Sequence, residues 1–200
     1  MSVATLHVQL LSEDLHNNNY YIKLMQQNLN LSDDDFLIFN LPRHFELDEG
    51  LLEQRWKKLL QQTHPDQFST EGQTAQRIAT QWSMRINEAY QTLKNPLKRA
   101  ALLCELAQTP VQSESNTAMP TDFLIQQMQW REQLENAHAI ADVEHLQHML
   151  QTEQLRLQSS LAWLIDEQGN FEQASQTVRM LMFIERFKKD TDTRLDALDL

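Results

Sequence analysis

Apolar residues recur at Leu52, Trp56, Leu59 and Leu60, with Arg55, Lys57 and Lys58 among the polar positions between them, and again at Ile78, Trp82, Ile86, Ala89, Tyr90 and Leu93. Steps of three and four residues place each series on one face of a helix. Asp48 can cap the first helix, and Leu47 with Leu52 has the spacing of a hydrophobic staple. Its outer face is basic. The second helix stops before Asn95-Pro96, because the residue preceding a proline is pushed out of the helical region. Between the two lies Gln62-Thr63-His64-Pro65-Asp66-Gln67, followed by a loop through Ser69, Thr70 and Gly72. Two helices joined by so short a loop pack antiparallel. At about 1.5 Å per residue they are roughly 20 to 30 Å long, so His64, Pro65 and Asp66 stand at a tip stiffened by the fixed φ of proline.

The flanking pattern extends the same logic. A capping cluster at Ser32 to Asp35 precedes Phe36-Leu37-Ile38-Phe39, predicting a short helix that ends before Leu41-Pro42, and Leu97 to Leu106 predicts another. The expected core is Phe39, Leu52, Trp56, Leu59, Ile78, Trp82, Ile86, Tyr90 and Leu102. Residues 108–120 are polar and proline-flanked, a linker by composition.

Residues 121–200 read as an antiparallel three-helix bundle. Val143, Leu146, Leu150, Leu157, Leu161 and Leu164 form a near-heptad seam on the middle helix, Gly169 stops it, and Asn170 with Gln173 opens the last. On the first of the three, Phe123, Trp130, Leu134 and Ala137 share a stripe assigned to the core. Leu124, Ile125 and Met128 fall on another face, beside Gln129 and Glu132. On the last, Val178, Leu181 and Ile184 serve the core while Met180, Phe183 and Phe187 lie to one side. A helix needs one apolar stripe to pack, so the second is either part of a wide core or an exposed partner site.

Composition makes the fold all-α: three glycines in 200 residues, five prolines, and abundant Leu, Gln, Ala and Glu. Residues 1–31 follow no firm period and read as a disordered N-terminal extension. The net charge of −11 disfavours nonspecific binding of nucleic acid. Its distribution says more. Residues 36–107 carry nine basic and eight acidic side chains and residues 121–200 seven and fourteen, so two regions of different sign suit two different protein partners.

Cys104, the single cysteine, lies in an apolar run and reads as a buried structural thiol. No run approaches the 18 apolar residues of a membrane span, and no presequence pattern fits, so the expectation is a soluble cytoplasmic protein. Candidate chemistry is sparse. His64 as a base oriented by Asp66 would sit two residues from its partner across a proline, on an exposed tip without a nucleophile. Glu144, His145 and His148 read as solvated helix residues in preference to a metal site. No glycine-rich phosphate loop is present. Neither catalytic residues nor a cofactor or metal are expected.

The tripeptide His64-Pro65-Asp66, between a basic amphipathic helix and one reading Ile86-Asn87-Glu88-Ala89-Tyr90, with Pro96-Leu97-Lys98-Arg99-Ala100 following, resembles the J domain of DnaJ-type co-chaperones. From about Phe36 the chain is most similar to the HscB branch, the J proteins of bacterial iron-sulfur cluster assembly. The similarity rests on Phe36-Leu37-Ile38-Phe39-Asn40-Leu41-Pro42, Phe68, Arg99-Ala100 with Leu102-Leu103, Phe123-Leu124-Ile125 and Trp130-Arg131-Glu132. It implies a J domain over 32–107 and a scaffold-binding bundle over 121–200. It also implies that His64, Pro65, Asp66, Arg55, Lys57 and Lys58 engage a DnaK-type chaperone like HscA and stimulate its ATPase. Leu124, Ile125, Met128, Gln129, Glu132 and Phe183 are then the positions that take an IscU-like scaffold protein. Gln129 stands where the family has an acidic residue, Gln67 where lysine is common, and Thr63 where an aromatic is usual. The alternative is a general J protein for unfolded clients. Such proteins usually carry a Gly/Phe-rich region or zinc-binding cysteines, which this chain lacks.

Overall fold

The computed structural model describes residues 29–111 and 119–199. The expected N-terminal extension lies outside the described residues through position 28, as does 112–118 of the expected linker. Regular structure among the described residues is helical throughout, in agreement with the all-α reading. Two compact units are present, the first running through Pro42 and resuming over Asp48–Gln91, the second formed by Arg43–Leu47 with Thr92–Leu200.

In the first unit α1 (Asp35–Ile38) starts where Asp34 accepts the N–H groups of Phe36 and Leu37 at 3.0 and 3.1 Å. It ends at Asn40, whose φ of +50° lets the Leu41 N–H turn back to the Phe36 carbonyl at 2.8 Å. Asparagine is among the few residues that occupy this left-handed region readily. Arg85 ties the entry to α1 down, pairing with Asp35 at 2.6 Å and donating to the Leu31 and Asp33 carbonyls. Helix α2 (Glu49–Thr63) is capped by Asp48, which accepts the Leu51 N–H at 2.9 Å. Helix α3 (Gln73–Lys94) returns, and Trp56 of α2 stacks on its Tyr90 with ring centroids 4.3 Å apart.

Of the expected core, Phe39, Leu52, Leu59, Trp82, Ile86 and Tyr90 are buried, but Trp56, Ile78 and Leu102 are only half-buried. The Trp56 indole N–H reaches Asn87 at the surface, 3.0 Å away. Ala75 and Ala79 take the inner positions beside Ile78, and Ala100, Leu103 and Cys104 take those beside Leu102.

In the second unit α4 (Pro96–Leu106), capped by Asn95, packs on the final helix. The division by packing therefore falls after Gln91, well before the 108–120 boundary read from composition. The buried face of α4, with Arg99 lying over the Phe45 ring at 5.1 Å, belongs with the bundle side of the chain. The other helices are α5 (Thr121–Glu135), α6 (Ile140–Ala162) and α7 (Phe171–Leu198). The seam from Val143 to Leu164 is buried, as are Val178, Leu181 and Ile184 of α7. Phe187, expected to one side, is also core, where it stacks on Phe183. Gly169 at φ +60° ends the descent, and Asn170 caps α7 by accepting the Gln173 N–H at 3.1 Å.

One element has no counterpart in the sequence reading. At Trp163–Glu167 the helix widens into a π turn, with the Gln168 N–H reaching the Trp163 carbonyl. The extra residue buries Leu164 and Ile165 in succession and aims Asp166 at the 43–47 segment, where its carboxylate accepts the Phe45 and Glu46 N–H groups at 2.7 and 2.9 Å. Single-turn π-bulges of this kind are rare and recur at positions with a specific task. The Cys104 thiol is buried, and desolvation pushes its pKa up to about 11 against the opposing charge of Arg179. Among the described residues no helix is long and apolar enough to cross a membrane.

Candidate functional site

Two surfaces carry the residues singled out by the sequence. The first is the tip after α2. His64 leaves the helix with extended backbone, and Pro65–Phe68 form one 3-10 turn with the proline at its first position. The Asp66 N–H reaches His64 Nδ1 at 3.3 Å, and the Gln67 N–H reaches the His64 carbonyl at 3.0 Å. The Asp66 carboxylate is 89% exposed and stands 3.5 Å from His64 Nδ1. Support comes from below. Phe68 is buried under the turn.

Thr63 is fully buried, and its hydroxyl donates to the Leu59 carbonyl at 3.0 Å. Ser83 of α3 donates to the Thr63 carbonyl at 2.7 Å, with its oxygen 3.2 Å from the Thr63 hydroxyl. At Thr63, where the resemblance led to the expectation of an aromatic, a hydroxyl pair ties the end of α2 to α3. Ser83 was not singled out from sequence; a small polar residue on an otherwise apolar helix face, opposite a threonine at the end of the facing helix, is the signal that could have found it.

The basic residues behind the tip differ in what they do. Arg55 is half-buried and turns inward, donating to the Phe39 carbonyl at 2.7 Å and to the Asn40 carbonyl, so it closes the end of α1. Lys57 is exposed and pairs with Glu53 one turn earlier at 2.6 Å, which raises its pKa. Lys58 is exposed, and among the described residues no ion pair engages it. The structure thus brings Lys57 and Lys58 to the outer face of α2 and takes the Arg55 guanidinium away from it.

The second surface is the outer side of α5. Phe123 and Trp130 are buried, and Leu134 is half-buried. Leu124, Ile125 and Met128 are 41%, 51% and 69% exposed, and Gln129 and Glu132 are exposed beside them. The second apolar stripe is therefore not core. Phe183 is half-buried and joins the two sides. It meets Phe123 edge-on at 5.9 Å, stacks near Trp130 at 6.4 Å and on Phe187 at 5.6 Å, and carries the Arg131 guanidinium 5.5 Å from its ring centre. Stacked and edge-on arrangements are those that aromatic pairs prefer, and here they form the floor of the patch while its rim is exposed. Buried Gln127 was not anticipated; its amide nitrogen lies 3.0 Å from the Met119 sulfur.

No group of three His, Cys, Asp or Glu side chains among the described residues is placed to hold a metal ion, and Glu144, His145 and His148 are exposed. A stiff His-Pro-Asp tip on a helical hairpin, with an all-helical bundle following, defines a co-chaperone of the J-domain class. The family model of the HSCB C-terminal oligomerisation domain matches residues 119–192. A co-chaperone protein HscB homolog of Ralstonia nicotianae is 43% identical over 171 residues, covering 84% of this chain and 97% of that protein. One of Bordetella pertussis is 44% identical over 160 residues, covering 80% and 94%. The crystal structure of human co-chaperone protein HscB superposes with a TM-score of 0.78 at 25% identity, covering 86% of each chain. Chaperone HscB from Vibrio cholerae does so at 0.68 and 30%, covering 83% of this chain and 99% of that one. The chain belongs to the HscB co-chaperone family.

Proposed function

We propose that this co-chaperone acts through the two surfaces just described, the tip on α2 and the open face of α5. As an HscB-type protein it stimulates the ATPase of an HscA-like, DnaK-type chaperone and brings to it an IscU-like scaffold of iron-sulfur cluster assembly. The ATP is the partner's substrate; this chain supplies shape and charge. His64, Pro65 and Asp66 form the element presented to the chaperone. A fully hydrated carboxylate on a stiff turn suits pairing with a partner cation, because little chain entropy is lost when the contact forms. Lys57 and Lys58 supply the positive field that steers the approach of an acidic surface, and Arg55 contributes indirectly by fixing α1 against α2. Leu124, Ile125 and Met128 form the apolar centre of the scaffold-binding face, Gln129 and Glu132 its polar rim, and Phe183 its floor. This is the composition expected of a protein interface, with an apolar middle and a hydrated edge.

The observation that carries the reading is the outward Asp66 carboxylate on a turn whose support is buried. The test is titration of this protein into the cognate chaperone while steady-state ATP turnover is followed, with and without purified scaffold. Stimulation by this protein alone, enhanced when scaffold is present, is the expected result. A flat titration in both arms overturns the reading.

A further inference from the structure

Redox chemistry is unevenly available on this molecule. The one thiol, Cys104, is sealed in the interior and holds its proton well above neutral pH, so it offers peroxide little thiolate to attack. Thioethers need no deprotonation, only access. Among the described residues, Met119, Met149, Met180 and Met182 are half-buried, whereas Met84 on α3 and Met128 on α5 are 60% and 69% exposed. Met84 is outside both surfaces assigned above. Met128 is one helical turn beyond Leu124, within the apolar face of α5.

We propose that Met128 is a peroxide-sensitive modification site whose oxidation to the sulfoxide releases the scaffold protein. The inference rests on the reading of the α5 face given above. In the reaction a sulfur lone pair attacks one oxygen of hydrogen peroxide, the O–O bond breaks and an S–O bond forms. Sulfur is oxidised by two electrons, and the second oxygen leaves as water after a proton shifts between the two. The product is a polar, chiral group in place of an apolar one. Buried against a partner's apolar surface, the new oxygen has no donor to accept from, and an unsatisfied polar atom of that kind lowers affinity by roughly tenfold. Enzymatic reduction of the sulfoxide restores the thioether, so the change is reversible.

The test treats the full-length chain with graded hydrogen peroxide, maps each methionine by peptide mass spectrometry and measures affinity for purified scaffold calorimetrically. The expected result is a roughly tenfold loss that tracks oxidation at Met128 and is recovered with methionine sulfoxide reductase. Scaffold bound beforehand slows oxidation at Met128 but not at Met84. Met84→Leu responds to peroxide as the native chain does. Met128→Leu, compared with its own untreated sample, shows no response, and Met128→Gln reproduces the loss without peroxide. Unchanged affinity after complete oxidation of Met128, or an equal loss in Met128→Leu, overturns the modification site. Failure of the untreated chain to bind scaffold overturns the underlying assignment of the α5 face, a result visible before any peroxide is added.

Discussion

In the proposed reading, the tip on α2 and the face on α5 are opposite solutions to recognition. At the tip three adjacent residues are held by a 3-10 turn, and the group presented is a single hydrated carboxylate. On α5 the presented groups are spread along the helix and are apolar, over a floor of stacked rings. A point charge acts through orientation, so its support must be stiff. An apolar face acts through area, so its rim can remain adaptable, and a flexible thioether at its most exposed position fits that demand.

The contrast yields four tests, the first with the largest expected effect. Asp66→Asn keeps the shape and removes the charge. Truncating one member of a desolvated charge pair typically costs about 2 to 5 kcal/mol, so chaperone stimulation is lost while the melting temperature and scaffold affinity are retained. Retained stimulation would falsify the role given to the carboxylate. The double variant Leu124→Ala, Ile125→Ala removes mainly exposed area. Binding of scaffold, read by calorimetry, should weaken by about 1 to 2 kcal/mol, with scaffold-independent stimulation intact; a simultaneous drop in both would erase the distinction between the surfaces.

Ser83→Ala sharpens the comparison at the level of support. Loss of the bond to the Thr63 carbonyl should cost about 1 kcal/mol, seen as faster amide exchange at Gln67 and a reduced maximal stimulation, with α5 unaffected. The effect smallest near neutral pH concerns Cys104. Its raised pKa means that the folded chain keeps a proton that the unfolded chain loses first, so stability in denaturant declines as pH climbs from the ordinary thiol range toward about 11. Cys104→Ala should lack that decline, and an identical pH profile in both proteins would show that other groups govern it.

Much of this is legible in the sequence alone. The tripeptide, the cap at Asp48 and the pair Gly169-Asn170 are local signals, each fixed by the backbone demands of one turn. The second apolar stripe of Leu124, Ile125 and Met128 is legible too, because a helix advances 100° per residue and needs one stripe to pack, but the choice between a wider core and an outward face is made by the structure. What escaped depends on partners distant in the chain. The inward turn of Arg55 is decided by the Phe39 and Asn40 carbonyls just after α1, and the Thr63–Ser83 contact by residues 20 apart. The allegiance of α4 is decided by α7, and the burial of Phe187 by the width of the ring cluster. The π turn left no mark in the spacing, since one inserted residue merely shifts the pattern at the end of a long seam.

That insertion sets a rule for homologues and for engineering. Removing a single residue from Trp163–Glu167 would convert the widened turn to regular winding, and where the residue removed is Asp166 the Phe45 and Glu46 N–H groups lose their acceptor. A shortening that looks harmless in an alignment would thereby unfasten a strap more than a hundred positions upstream.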